Sequence, residues 1–232
     1  MCFITPAVEL LVVHISIFQA QIIRLIVSYN NIFFTNYIAP KMNKSNVTAV
    51  ILSGGRSSRM SGKDKGLLLF RNEPLISYVI DVISGNVDSI LVSANRSIDS
   101  YQKFGHVITD NLSGFQGPLA GILAALDVVS TEYLLVLPCD SPFVNSVIIN
   151  RLESEMKKSK CDICVASDGK KMQPVFSLVR SSLRDNLYDY LSSGERKLRA
   201  WYESNETVQV DFSDHKDMFI NLNTKEDLKK FQ

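Results

Sequence analysis

Val47–Asp64 reads VTAVILSGGRSSRMSGKD and runs on into Lys65 and Gly66. Its first six residues, Val47–Leu52, form an apolar, β-branched run, which predicts a parallel strand buried on both faces. The run stops at Ser53-Gly54-Gly55, where two glycines permit backbone geometry and close ligand approach that side chains resist. A loop carrying Arg56, Arg59, Lys63 and Lys65 follows, interleaved with Ser57, Ser58 and Ser61. A strand, a glycine turn and then cations suit a phosphate-rich ligand: backbone N–H groups cradle its oxygens while Lys and Arg neutralise its charge. A solvated basic turn is the plainer alternative. Neither G-x-x-x-x-G-K-[ST] nor G-x-G-x-x-G is present, so a nucleotide site here belongs to another design.

Outward from this stretch the pattern alternates. Leu67–Phe70 predicts a short strand and Pro74–Ser84 a helix, with Leu75, Tyr78, Val79 and Val82 at helical spacing. Asp88–Asn95 and His106–Asp110 read as strands, with a helix over Ser97–Phe104 between them. Gly117-Pro118 closes a polar loop and opens a helix to Val129, with proline in its first turn. Tyr133–Pro138 (YLLVLP) is the most apolar strand of the chain and ends on Cys139-Asp140-Ser141-Pro142. A helix over Asn145–Lys157 and a strand over Asp162–Ala166 follow. Strands alternating with helices imply a mostly parallel sheet with helices on both faces. In such sheets ligands bind outside the carboxyl ends of the strands. Gly54 and Gly55, Ser93–Asn95, Asp110 and Asp140 all stand at such ends and are expected to face one crevice.

The C-terminal third is less regular. Gln173–Val179 reads as a strand packing a new face, Ser181–Ser192 and Glu195–Ser204 as helices, and Thr207–Phe212 and Phe219–Asn223 as strands. Thr224–Phe231 reads as a closing helix with Thr224 and Asp227 placed as a capping box. No repeat or linker interrupts residues 42–232, which predicts one domain.

Composition narrows the function. The net charge of +1 over 232 residues argues against a general nucleic-acid binder. Cys161 and Cys164 form a C-x-x-C inside a strand-like run, where alternation places the sulfurs on opposite faces. With no second Cys/His pair, a redox or metal role is not expected, and reduced thiols fit a cytoplasmic enzyme. Residues 1–41 are apolar, with Glu9, Arg24 and Lys41 as their only charges. They lack a basic leader, and the uncharged run Leu10–Ile23 is shorter than the roughly 20 residues that span a bilayer. They read as an extension from an upstream start, outside the fold, with Met42 as an ordinary start; a membrane-surface anchor is the alternative.

Asp140 is the leading candidate for chemistry. A carboxylate at the end of the most buried strand, opposite a phosphate cradle, suits Mg²⁺, which often takes one or two carboxylates plus substrate phosphates and water. Its plainer role is an N-cap for the following helix. Lys65 and Arg59 are candidate phosphate ligands, and Asp110 a candidate partner for a sugar or base. No Ser-His-Asp system is evident among the serines and His14, His106 and His215. Chemistry without a protein nucleophile is therefore expected, such as attack by a phosphate oxygen on the α-phosphorus of a nucleoside triphosphate.

LSGGRSSRMSGKDKGLL, VSANR, ITD, GPLAGILAAL, LPCDSPF, GERK and DFSDHKDMFINLNTKEDL together resemble the molybdenum cofactor guanylyltransferase family, a branch of the nucleotidyltransferases with a three-layer α/β/α, Rossmann-like fold. The resemblance runs from about Val47 to Gln232. It implies transfer of GMP from GTP to the phosphate of molybdopterin, with release of pyrophosphate and Mg²⁺ as the metal. It further implies that Leu52, Ser53, Gly54 and Gly55 form the nucleotide-binding turn and that Lys65 binds phosphate. Asp110, with Gly117 beyond it, is implied on the GTP side, and Asp140 on both GTP and metal. Ser93 stands where an asparagine contacting the nucleotide is expected, and Asn95 remains two residues on. Asn221 and Asn223 match an element implied to face the pterin. Arg196, Lys197 and Arg199 form a basic helix that either faces an anionic acceptor or is a solvated surface. The partners implied are GTP, the molybdopterin cofactor and, transiently, cofactor-insertion proteins and apo-molybdoenzymes, with neither nucleic acid nor membrane. The rival expectations are a nucleotidyltransferase using CTP or a sugar phosphate, and a non-catalytic nucleotide- or cofactor-binding protein.

Overall fold

The computed structural model describes residues 46–53, 64–110 and 117–231, all within the unit Lys44–Gln232. The expected extension over residues 1–41 lies outside them, as do Gly54, Gly55 and Arg59.

Seven strands form one sheet in the order β5-β4-β1-β6-β8-β7-β9. They are β1 (Val47–Leu52), β4 (Ser89–Ser93), β5 (His106–Ile108), β6 (Tyr133–Pro138), β7 (Ile163–Ser167), β8 (Met172–Arg180) and β9 (Thr207–Asp211). β2 (Leu69–Phe70) and β3 (Glu73–Pro74) pair separately as a small hairpin. β1 lies between β4 and β6, parallel to both. The chain thus builds outward from β1 in one direction through β4 and β5, and β6 begins the other half. That reversal at β1/β6 is where an open α/β sheet forms its ligand crevice.

Alternation along the strands divides the core into two layers. Val47, Ala49 and Ile51 of β1 join Leu135 and Leu137 of β6 on one face. There they meet helices α1 (Leu75–Ile83) and α4 (Val147–Ser159). Val50, Leu134 and Val136 point to the other face. They pack on α3 (Pro118–Leu126), α5 (Arg184–Ser192) and α6 (Leu198–Glu203), whose Trp201 and Tyr202 are wholly buried. Helices on both faces explain why β1 and β6 are apolar at consecutive positions. Short helix α2 (Ile98–Tyr101) and the last helix, α7 (Lys225–Lys230), complete the set.

Several expectations change in three dimensions. Gln173–Val179 does not pack a new face: β8 inserts between β6 and β7 as the one antiparallel member of the sheet, because the short turn over residues 168–171 brings it straight back beside β7. Phe219–Asn223 is not a strand. It begins in a 3-10 turn, Lys216–Phe219, and continues as extended backbone without a ladder partner. Leu67–Phe70 divides into a 3-10 turn, Lys65–Leu67, and the two residues of β2. Cys161 and Cys164 are not on opposite faces: their sulfurs lie 3.4 Å apart in the core. Cys161 precedes the first residue of β7, so strand alternation does not govern it. The capping box of the last helix is present as expected, with Thr224 Oγ1 accepting from the Asp227 N–H.

Candidate active site

The carboxyl ends of the central strands are tied together by their backbones. Ser53 N–H donates to Ser93 O at 2.9 Å, Ala94 N–H to Ile108 O at 3.0 Å, and Cys139 N–H to Leu52 O at 3.3 Å. Leu52, Ser53, Ser93 and the Cys139-Asp140 turn therefore share one edge, as the topology requires.

Two polar groups stand on this edge. On the β4/β5 side, Asn95 Nδ2 donates to Asp110 Oδ2 at 2.6 Å, and the Asp110 N–H donates back to Asn95 Oδ1 at 3.1 Å. Each residue fixes the other, and Asn95 is exposed. On the β1/β6 side, Lys65 Nζ donates to Asn223 Oδ1 at 2.6 Å and lies 3.6 Å from Asp140 Oδ2. Asp140 and Ser141 are buried, and Ser141 Oγ donates to Asn221 Oδ1 at 2.5 Å. Burial pushes the Asp140 carboxyl above its ordinary range, against the opposing pull of Lys65 and of backbone hydrogen bonding.

The C-terminal asparagines reach this group by a simple device. In Asn221-Leu222-Asn223 the middle residue is wholly buried beside Phe70, Leu75 and Leu228. Its N–H donates to Asp140 O at 2.9 Å. The extended backbone then presents the two flanking amides on the opposite side from Leu222. Asn221 meets Ser141, in the turn that carries Asp140, and Asn223 meets Lys65, which pairs with Asp140.

Lys65 is set from its backbone side as well. Asp64, nearly buried, forms an ion pair with Arg96 at 3.1 Å. Gly66 lets the turn settle on the end of β6. A Cβ there would stand 2.9 Å from Tyr101 Oη and 3.1 Å from Cys139 Cβ. Sequence reasoning gave no role to Asp64, Arg96, Tyr101 or Ser141. Only the adjacency of Asp64 to Lys65, and of Ser141 to Asp140, hinted at them.

Other expected site residues separate from these groups. Ser93 is buried with its hydroxyl turned to α3: a Cβ on Gly121 would meet Ser93 Oγ at 2.5 Å. Gly117 is the exposed N-cap of α3, with φ +69° that favours glycine. In the basic stretch, Arg196 donates to the carbonyls of Leu191 and Glu195, and Arg199 pairs with Glu203 at 2.8 Å. Those contacts favour a structural and solvated face for both arginines.

Among the described residues no three His, Cys, Asp or Glu side chains gather as a metal site. The buried carboxylate of Asp140 suits a hard cation whose remaining ligands come from substrate phosphates and water.

The fold and this edge define a nucleotidyltransferase domain, and residues 49–210 match the model of the MobA-like NTP transferase domain. The chain is 44% identical over 181 residues to the molybdenum cofactor guanylyltransferase of Shewanella sediminis, covering 78% of this chain and 92% of the relative. It is 44% identical over 182 residues to that of Vibrio vulnificus, covering 78% and 93%. The crystal structure of molybdopterin-guanine dinucleotide biosynthesis protein A from Archaeoglobus fulgidus superposes with TM-score 0.66 at 26% identity, over 80% of this chain and 96% of that one. The chain belongs to the molybdenum cofactor guanylyltransferase family.

Proposed function

We propose that this chain transfers GMP from GTP to the phosphate of the molybdenum–molybdopterin cofactor. A phosphate oxygen of the pterin attacks the α-phosphorus of GTP, a new P–O bond forms, and the α–β bridging bond breaks to release pyrophosphate. The product is the guanine dinucleotide form of the cofactor. The observation that carries the reading is the convergence of Lys65, Asp140, Asn221 and Asn223 at the β1/β6 reversal.

In this reading Lys65 holds phosphate oxygens and neutralises the charge that builds on the leaving pyrophosphate. Asp140 would hold Mg²⁺, which when bound supplies Lewis-acid stabilisation of phosphoryl oxygens. The glycine turn and Arg59 complete the phosphate side, and the Asn95–Asp110 pair serves the nucleoside. Asn221 stands beside the acceptor, and Asn223 is held on Lys65. Fixed positioning and electrostatics carry such a reaction, because the nucleophile belongs to the substrate. His215 lies 3.6 Å from Asp214, and His106 is an exposed residue of an edge strand.

Among the described residues no helix is long and apolar enough to cross a membrane. Cys139, Cys161 and Cys164 are free and buried. Buried free thiols fit a cytoplasmic setting, from which the product passes to cofactor-insertion proteins and apo-molybdoenzymes. The deciding experiment supplies purified protein, Mg²⁺ and molybdopterin-loaded carrier with each of the four nucleoside triphosphates. Incorporation from GTP alone is expected. Incorporation from CTP would move the chain to a sister specificity, and none from any nucleotide would remove the transferase reading.

A further inference from the structure

We infer that Asp227, in the last helix, is a positioning residue for the phosphate-side lysine, acting through Asn223. The inference rests on the reading of Lys65 given above.

A lysine ammonium sits on a flexible stem and has three donors to place. One of those of Lys65 goes to Asn223 Oδ1 at 2.6 Å, and the Asp140 carboxylate lies 3.6 Å away. This leaves a donor for a ligand anion, in a direction set by where Asn223 stands. Asn223 is itself clamped. Its N–H donates to Asp227 Oδ2 at 3.0 Å, and the Thr224 N–H donates to the same oxygen at 2.9 Å. Asp227 N–H returns a bond to Thr224 Oγ1 at 3.0 Å. One residue earlier, Leu222 is buried and its N–H is bonded to Asp140 O. The backbone over residues 222–224 is thus pinned to the metal-side turn at one end and to Asp227 at the other.

A capping box on a six-residue helix at the C-terminus ordinarily secures only that helix. Here the residue just before the cap carries the amide that orients Lys65, so the same carboxylate serves the site. The hydrogen bonds it accepts from Thr224 and Asn223 hold the Asp227 carboxyl below its usual range, which keeps it an acceptor at neutral pH.

The test is a double-mutant cycle on the full chain, read as GMP transfer and as thermal melting. Asp227→Ala is expected to lower kcat/KM about tenfold to a hundredfold, the scale of a misplaced catalytic contact. Asn223→Ala, which leaves the helix cap intact, is expected to match it. In a Lys65→Ala background both further losses are expected to shrink to within about twofold, because the group they position is gone. Equal losses from Asp227→Ala in both backgrounds would make Asp227 merely structural and overturn the inference. So would full activity of Asp227→Ala beside an impaired Asn223→Ala. An unimpaired Lys65→Ala single variant would remove the Lys65 reading, and this inference with it, and that result is visible without the cycle.

Discussion

Lys65 Nζ and Asn223 Oδ1 lie 2.6 Å apart although 158 residues separate them in the chain. Lys65 follows the glycine-rich, basic stretch after β1, and Asn223 precedes the last helix. Their contact joins the two ends of the described domain at the point where the sheet order reverses. It is also the contact whose loss is most directly measurable.

Lys65→Ala is expected to weaken GTP binding by about 1.5–3 kcal/mol, the worth of one hydrogen bond to a charged group. Titration of GTP into the protein without acceptor reads this as a rise of roughly tenfold to a hundredfold in Kd. An unchanged Kd would remove Lys65 from the phosphate site.

Asp140→Asn is expected to reduce turnover by a hundredfold or more, while raising the melting temperature at neutral pH. The activity loss is on the scale of one missing electrostatic contact in the transition state. The stability gain follows from the sign of the shift. Burial raises the Asp140 pKa above its ordinary value of 3.8. Its contribution to stability is therefore fully present below that value and is lost as pH rises through the folded-state value. At neutral pH the charged carboxylate is a burden that asparagine removes, and the gain should fade as pH falls below about 4. A lower melting temperature for Asp140→Asn at pH 7 would show that the pairing with Lys65 outweighs burial.

Gly121→Ala is expected to cost about 1–3 kcal/mol by overpacking. The added Cβ would stand 2.5 Å from Ser93 Oγ and 3.0 Å from Leu52 Cδ2. Denaturant unfolding of Gly121→Ala, with and without Ser93→Ala, checks the cause. Removing the hydroxyl should recover part of the loss, and no recovery would place the strain at Leu52.

Native-state alkylation is expected to leave Cys139 and Cys164 unlabelled. Burial first, and then the neighbouring Asp140 carboxylate, push the Cys139 thiol up to about 12. Burial and the adjacent Cys161 push Cys164 up as well. Thiolate is the reactive form, so both should react with iodoacetamide at pH 8 only after unfolding. Peptide mass spectrometry before and after denaturant distinguishes the cases. Rapid native labelling of Cys139 would mean that the strand end opens to solvent.

Much of this architecture is legible along the chain because it is periodic. β1 and β6 are almost wholly apolar runs, β4 has an apolar centre between two serines, and α1 and α4 repeat at helical spacing. The placement of Ser53, Ser93, Asp110 and Asp140 at one edge follows from the parallel order alone. The capping box of Thr224 and Asp227 is local, and it too was readable. Arg59, Gly54 and Gly55 remain expectations of the sequence.

What the chain alone did not disclose are relationships that have no period. The alternation in Phe219–Asn223 resembles a strand, yet its one buried residue, Leu222, is paid into the small cluster with Phe70 and Leu228 and not into a sheet. Cys161 and Cys164 come together because the strand begins between them. β8 enters the sheet antiparallel because its short turn leaves no room for a crossover. Asp64 with Arg96, Ser141 with Asn221, and Lys65 with Asn223 are pairings of residues far apart in the chain or on separate turns. The sequence by itself determined the strands, the helices and the edge on which polar groups gather, since each depends on local patterning and on the rule for open parallel sheets. Only the tertiary structure decided which of those polar groups touch, because a hydrogen bond between distant residues depends on packing that no local pattern encodes.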